Sequence, residues 1–145
     1  MIHAPIQAAS AGTLILGLGY NDAFWGHDYG YTKEDFSKKI DYLIVACKYY
    51  DTNVIVNDYL WSNYKTLAQY KAWNSTIQAQ IDEKFAFFHE ELKRLARETK
   101  GIYVSQEERW GDKIIAYADA NDGVHPTNGG HALMAQALLE AMGLA

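Results

Sequence analysis

The sequence has 145 residues, of which 49% are hydrophobic and 21% charged, and this composition and length fit one globular domain, or part of one, with a real core. The net charge of -5 argues against a nucleic-acid partner, because no basic stripe is present to neutralise phosphates. No apolar stretch approaches the roughly 20 residues of a membrane-spanning helix, and Met1–Pro5 does not start a signal peptide, so the sequence leaves the cellular location unknown.

Two strands and a helix are predicted in the first part of the chain. Thr13–Gly17 is a short apolar run that ends in glycine, which is typical of a buried parallel strand, and a second strand is predicted at Asn53–Asn57. Between them, Thr32 and Asp35 have the spacing of a capping box, which predicts the start of a helix. The predicted buried face of that helix carries five residues: Phe36, Ile40, Leu43, Ile44 and Cys47.

The second part of the chain continues this alternation. A long helix is predicted from about Ser75 to Thr99, followed by a strand at Ile102–Val104 and a last helix over roughly 128–142. The stretch 58–74 is predicted to be irregular. Strands that alternate with helices in this way indicate an α/β fold with a parallel sheet and right-handed crossovers.

Polar residues follow the predicted strands and precede the last helix, where a parallel sheet concentrates its chemistry. Asn21 and Asp22 come after the first strand, and Asp122 lies three residues before His125, just ahead of the last helix. A carboxylate at that spacing can accept the imidazole N–H, so that the second ring nitrogen acts as a general base. His131 follows within the last helix; without a third ligand it is weak evidence for a metal, and we interpret it as a surface histidine.

Two four-residue motifs carry a resemblance to a known family. Gly19-Tyr20-Asn21-Asp22 and Asp122-Gly123-Val124-His125 resemble the Gly-x-Asn-Asp and Asp-x-x-His blocks of SGNH/GDSL-type ester hydrolases, and they occur in the same order. The resemblance implies a flavodoxin-like, three-layer α/β/α fold. It implies that Asn21, beside Gly19, donates to an oxyanion hole, that His125 is the base and that Asp122 orients it. It also implies acyl transfer from a small ester or an acylated carbohydrate, with no cofactor and no metal.

The family's nucleophile is the feature that this sequence lacks. No Gly-Asp-Ser turn occurs, and the chain begins just ahead of the family's third strand, so we expect about three strands and a single partial domain over residues 1–145. Ser10 precedes the first strand, at the wrong end of a parallel sheet. Ser105 follows the third strand at the correct end but is only a weak candidate, since polar residues at strand ends are common. Cys47 is predicted to be core. We therefore identify no nucleophile and predict very low esterase activity for this chain alone.

Aromatic residues crowd the two loops expected beside the active site. Trp25 lies in the first loop and Trp61 in the second, and both would flank the same cleft. Aromatic side chains there can stack on a sugar ring or line an acyl pocket. Packing of the loops against the protein body is an equally good interpretation.

The strand at residues 13–17 is expected to have one bare edge, because the family places this strand in the centre of its sheet. A bare apolar edge invites pairing. Either residues 1–12 cover it, or a complementing chain does, or the protein self-associates.

Three interpretations remain open at this point. The chain is the portion of an ester hydrolase that carries the oxyanion Asn and the Asp–His pair, completed by a missing segment. Alternatively, it is a non-catalytic descendant that binds carbohydrate or protein. The third and weakest interpretation is an unrelated flavodoxin-like domain with chance motifs.

Overall fold

A computed structural model describes residues 12–113 and 124–145. Its sheet contains three strands, β1 (Thr13–Leu16), β2 (Asn53–Asp58) and β3 (Ile102–Ser105), arranged in the order β1-β2-β3. Both strand pairs are parallel. All three carboxyl ends therefore lie at the same edge of the sheet, as the predicted α/β fold requires.

The helices alternate with the strands and also occupy the loops. They are α1 (Tyr20–Phe24), α2 (Lys33–Tyr49), α3 (Ala68–Ala72), α4 (Ser75–Glu98), α5 (Gln106–Trp110) and α6 (Asn128–Ala141), with a 3₁₀ helix at Ser62–Thr66. The prediction of an irregular stretch at 58–74 was wrong, because the 3₁₀ helix and α3 lie there. Their few residues give too short a pattern for helical periodicity to stand out. No helix in the two described ranges is both long and apolar enough to cross a bilayer.

The strand register separates the side chains into two faces. Ile15 pairs with Ile55 and Ile55 with Ile102, so these three residues share one face. The next row places Val56 on the opposite face, where it joins the main hydrophobic core between the sheet and helices α2 and α4. Helices α5 and α6 cover the Ile55 face over a smaller area. The result is the three-layer α/β/α arrangement.

Helix α2 forms as its sequence predicts. The Thr32 side chain accepts from the Asp35 backbone N–H, and the Asp35 carboxylate accepts in return from the Thr32 N–H. All five residues predicted for its inner face are buried, and Cys47 is a free thiol in the core. Helix α6 is only partly enclosed. Of its apolar residues that pack against the core, Ala137 is buried against Ile55 and Val104, and four others are half-buried: Leu133, Met134, Leu138 and Ala141.

Candidate active site

The turn after β1 places Asn21 at the carboxyl edge of the sheet. Gly19 has φ +105°, in the left-handed region that favours glycine, and its carbonyl accepts from the Ala23 N–H at 2.8 Å to start α1. A Cβ at Gly19 would lie 3.3 Å from the rings of both Phe36 and Phe88. Glycine is therefore required here by conformation and by packing, and it puts Asn21 in the first turn of α1.

Asn21 is exposed and uses its backbone rather than its side chain locally. Its carbonyl accepts from the Trp25 N–H at 2.8 Å and lies 3.5 Å from the Tyr29 hydroxyl. No hydrogen bond joins its side-chain amide to any residue in the described ranges. That amide can therefore donate to a bound group, as an oxyanion donor must.

His125 lies just before α6 and is exposed. The helix begins behind it with Thr127 as N-cap, whose hydroxyl accepts from the Gly130 N–H at 3.4 Å. His125 and Asn21, 104 positions apart in the chain, line the same two cavities. Asp122, the predicted orienting carboxylate, lies outside the described residues.

Two cavities adjoin at Asn21 and His125. We call them the Trp61 cavity, of about 230 Å³, and the Trp25 cavity, of about 300 Å³, after the tryptophan that lines each one. Both are lined by the same four residues at their junction: Tyr20, Asn21, Val124 and His125. The two tryptophans considered in the sequence analysis, Trp25 and Trp61, therefore line different cavities, both of which contact Asn21 and His125.

The two tryptophans differ sharply in exposure. Trp25 is 40% exposed and packs edge-on against Phe24 at 4.8 Å and against Trp73 at 6.1 Å between ring centroids. Trp61 is 1% exposed, and its indole Nε1 is buried with no hydrogen-bond partner. Trp25 can offer a ring face to a ligand, whereas Trp61 forms part of the wall of a cavity, with its Nε1 enclosed by the protein.

Each cavity has lining residues that the sequence analysis did not assign to the site. The Trp61 cavity adds Tyr59, Pro126, His131 and Met134, and the Trp25 cavity adds Phe24, Leu67, Ala68 and Gln69. His131 is exposed in the first turn of α6, as predicted for a surface histidine, but the helix start also turns it towards the cavity. Within the described ranges, no group of three His, Cys, Asp or Glu side chains is arranged to hold a metal ion.

The described serines and Cys47 lie away from these cavities. Among the described residues, no serine or cysteine lines either one. Ser105 caps α5, accepting from the Glu108 N–H at 3.1 Å, and lines a separate cavity along β3. The Ser37 hydroxyl donates to Glu91 at 2.8 Å. Ser10 lies outside the described residues.

A buried polar network that the sequence analysis missed stands behind the Trp61 cavity. Asp58, at the end of β2, is 1% exposed and accepts hydrogen bonds from His89 Nδ1 at 2.6 Å and from the Tyr103 hydroxyl. Its other oxygen accepts from the Leu60 N–H at 3.0 Å. Two sequence signals could have indicated this network. Asp58 is a carboxylate at the end of a buried strand, and His89 follows Phe85 by four residues on the apolar side of α4.

Burial and charge act in opposite directions on His89. Burial lowers the pKa of its imidazole, but the hydrogen bond and charge of Asp58, helped by the charge of Glu107, outweigh it and raise that pKa above 6.5. Lys93 opposes them slightly. Burial, followed by the hydrogen bond to Asp58, raises the pKa of Tyr103 well above its usual value, so this phenol stays protonated and donates.

The family of the chain follows from a match over nearly its whole length. A model of the GDSL-like lipase/acylhydrolase family matches residues 6–138. The chain belongs to this family. Membership confirms the resemblance carried by the two motifs and rules out an unrelated domain with chance motifs.

Solved structures show the same fold at low sequence identity. The crystal structure of LAE5, an alpha/beta hydrolase enzyme from the metagenome of Lake Arreo, Spain, is 16% identical with a TM-score of 0.71, and the match covers 99% of this chain. A crystal structure described as a GDSL-like lipase from Parabacteroides merdae is 22% identical with a TM-score of 0.66, over 95% of this chain. The chain spans 65% and 63% of the lengths of these two proteins. No curated protein sequence matches it.

Proposed function

We propose that this chain carries the non-nucleophilic half of an ester hydrolase active site. In this proposal Asn21 and the Gly19 turn hold the oxyanion, His125 acts as general base, and Asp122 orients the imidazole. A serine outside this chain attacks the carbonyl carbon of an acyl or acetyl ester, His125 takes the serine proton and then delivers it to the leaving alcohol, and water later hydrolyses the acyl-enzyme. The substrate is a small ester, including esters carried on carbohydrate.

One observation carries the proposal: Asn21 and His125 line the same two cavities at the carboxyl edge of the sheet. Besides a nucleophile, acyl transfer needs an oxyanion donor and a general base, and the exposed amide of Asn21 and the exposed imidazole of His125 can supply these two groups. The lining of described residues around them contains aromatic and aliphatic side chains but no serine or cysteine.

The absence of a nucleophile is tested by covalent labelling. Diisopropyl fluorophosphate phosphorylates an activated serine oxygen and releases fluoride. Intact-mass spectrometry detects the resulting stoichiometric adduct on the protein. We expect no such adduct, and only very slow hydrolysis of p-nitrophenyl acetate. A stoichiometric adduct lost in Ser105→Ala would identify Ser105 as the nucleophile and contradict the proposal.

The role of His125 is tested on the residual hydrolysis of p-nitrophenyl acetate. We expect His125→Gln to lower this slow rate about tenfold or more, since a positioned general base contributes roughly 10²–10⁴-fold in a complete site. His131→Gln is the matched control, because His131 is an exposed histidine that lines the same Trp61 cavity. Equal effects of the two substitutions would contradict the assignment of His125 as the base.

A second candidate function is binding without catalysis, to carbohydrate or protein, through the same cleft. The two aromatic-lined cavities favour it, together with the lack of a serine among the described lining residues. The DNA upstream of the coding segment separates the candidates. A Gly-Asp-Ser segment in the same reading frame supports the hydrolase, and its absence supports the binding protein.

We further propose that the edge of β1 opposite β2 binds a strand, either from a complementing chain or from a second copy. In the described residues β2 is the strand neighbour of β1, and Ile15 is 48% exposed. An apolar edge strand with unpaired backbone groups favours such pairing.

A further inference from the structure

We propose that the Trp25 cavity binds the alcohol part of the ester, a sugar ring with free hydroxyl groups, and that Gln69 is the residue that selects it. This inference deepens the proposed function and rests on it, because the cavity has an alcohol to bind only if Asn21 and His125 form the active site. It narrows the substrate class from small esters in general to esters carried on a sugar ring.

The two cavities determine where the reacting ester lies. Asn21 and His125 line both of them, so a carbonyl group that reaches the Asn21 amide and the His125 imidazole lies at their junction. The acyl part and the alcohol part of an ester diverge from this carbonyl group. One part therefore enters the Trp61 cavity and the other enters the Trp25 cavity.

Gln69 is the polar residue that distinguishes the Trp25 cavity. It lies on α3, is exposed, and lines the Trp25 cavity but not the Trp61 cavity. In the described part of the chain, no hydrogen bond occupies its side-chain amide. An amide presents both N–H donors and an acceptor oxygen, which match the hydroxyl groups of a sugar, whereas an alkyl chain has no group to pair with either.

Trp25 supplies an aromatic surface in the same cavity. Its ring is 40% exposed and is held in place by edge-on contacts with Phe24 and Trp73. Trp25 and Gln69 line one space of about 300 Å³, so a single small ligand reaches both. A sugar ring has an apolar face for the indole and hydroxyl groups at its edge for the amide, so it uses both residues at once.

The Trp61 cavity, of about 230 Å³, lacks this combination in its described lining. Its large aromatic rings are buried or half-buried: Tyr20, Tyr59 and Trp61. Pro126 and Met134 add apolar surface, and His131 is exposed. Because no tyrosine or tryptophan among these residues has an open ring face, this cavity suits the acyl group rather than the sugar.

The test compares two ring ligands, titrated into the full chain and followed by nuclear magnetic resonance of the four tryptophan indole N–H groups. Methyl xyloside in its pyranose form carries hydroxyl groups on the ring, and 2-methoxytetrahydropyran has the same ring and methoxy group without them. We expect methyl xyloside to shift the Trp25 signal, assigned by its loss in Trp25→Phe, in a saturable titration. Gln69→Leu should weaken methyl xyloside binding about fivefold, since it removes a hydrogen bond, and should leave the weaker binding of 2-methoxytetrahydropyran unchanged.

Two controls test the residue and the occupant. Gln80→Leu is the matched variant, because Gln80 is an exposed glutamine on α4 that lines neither cavity. The ligand 2-pentanone presents a short acyl chain as a ketone, and it should shift the methyl signal of Met134, in the Trp61 cavity, more than the Trp25 indole signal.

Four results would overturn the inference. They are no Trp25 shift with methyl xyloside, affinity for methyl xyloside that is unchanged in Gln69→Leu, an equal loss of affinity in Gln80→Leu, and a larger Trp25 shift with 2-pentanone than with methyl xyloside. An equal loss of affinity for both ring ligands in Gln69→Leu would also contradict it, because the amide would then not be reading the hydroxyl groups.

These titrations need no turnover, so they separate this inference from the proposed function. A chain whose residual hydrolysis depends on His125 but whose affinity for methyl xyloside does not depend on Gln69 would refute only the role of Gln69. A chain whose hydrolysis is unaffected by His125→Gln but which loses methyl xyloside in Gln69→Leu would refute the proposed hydrolase and leave a sugar-binding cavity.

Discussion

Gly19 determines the direction in which Asn21 faces. Its φ of +105° reverses the chain at the end of β1 and lets α1 start with Asn21 in the first turn. Any side chain would meet two obstacles, the cost of a left-handed conformation and the rings of Phe36 and Phe88 at 3.3 Å. The glycine of the motif is thus explained by backbone physics, independently of any role in the oxyanion hole.

Trp25 gives a prediction at the residue scale. We expect Trp25→Ala to weaken binding of methyl xyloside or of a short acyl ester about fivefold, because the loss of one aromatic contact costs roughly 1 kcal/mol beyond its buried area. Isothermal titration calorimetry measures this change. Tyr49→Ala is the control, since Tyr49 is an exposed aromatic residue that lines neither cavity. Unchanged affinity in Trp25→Ala would remove the stacking hypothesis.

Replacement by alanine, which tests Trp25, is not suitable for Trp61. At 1% exposure it belongs to the main core, so Trp61→Ala would cost roughly 3–5 kcal/mol of stability and confuse binding with unfolding. Trp61→Phe keeps an aromatic ring in the core and is the milder substitution. The sequence predicted the position of both tryptophans beside the cleft, but only packing distinguishes the exposed one from the buried one.

Helix α4 has two roles at the scale of elements. Its inner face carries Ile81, Phe85 and Phe88 into the main core, and His89, one turn after Phe85, reaches the buried carboxylate of Asp58 at 2.6 Å. The same helix that covers the sheet thereby supports the loop that follows β2. A register shift of α4 would disturb both the core and the wall of the Trp61 cavity.

The His89–Asp58 pair predicts how stability depends on pH. Because the pKa of His89 is raised above 6.5 in the folded protein, the pair contributes stability that is fully present below about pH 6.5 and is lost as the pH rises through the folded-state pKa. We expect the free energy of unfolding, measured with urea, to decrease over that interval. His89→Gln should remove this component and, at pH 6, cost about 1–3 kcal/mol, because Asp58 loses a buried donor.

His131→Gln is the control for this pH series. His131 is exposed in the first turn of α6, so its substitution should leave the slope of stability against pH unchanged. A slope that is the same in the wild type and in His89→Gln would contradict the interpretation of the pair.

Apolar side chains are exposed on both sides of the sheet. Ile15 on β1 lies on the Ile55 face and is 48% exposed, and on the other side the outer face of α2 exposes Tyr42, Val45 and Tyr49 at a spacing that places them on one stripe. Single exposed apolar residues are normal, but an apolar edge strand is a known route to association. The interaction surface that we propose for β1 is therefore separate from the two cavities at Asn21 and His125.

The oligomeric state tests that surface. We expect light scattering to give a mass above the 16.4 kDa of one chain, and Ile15→Lys to return it to that value, since charged residues on an edge strand oppose pairing. Ile102→Lys is the matched control, because Ile102 shares the sheet face and register row of Ile15 at the opposite edge and is 39% exposed. A monomeric wild type would count against self-association, and equal effects of both substitutions would count against β1 as the contact.

Local sequence patterns determined the three strands, the capped start of α2, the buried face of that helix and the family motifs. Each of these depends on residues within a few positions of one another, as in Thr32 and Asp35. The roles of Asn21, Asp122 and His125 stay predictions of that kind. Patterns of four or five residues were too short to predict α1, α3 and α5.

Only the tertiary structure decided what surrounds the motifs. Asp58 and His89 are 31 residues apart and come from different elements, so no local pattern could pair them. The same holds for the cavities, whose walls combine the loops after β1 and β2 with the start of α6. Burial of one tryptophan and exposure of the other, and the unpaired N–H that results, depend on how those segments pack, which periodicity and composition do not encode.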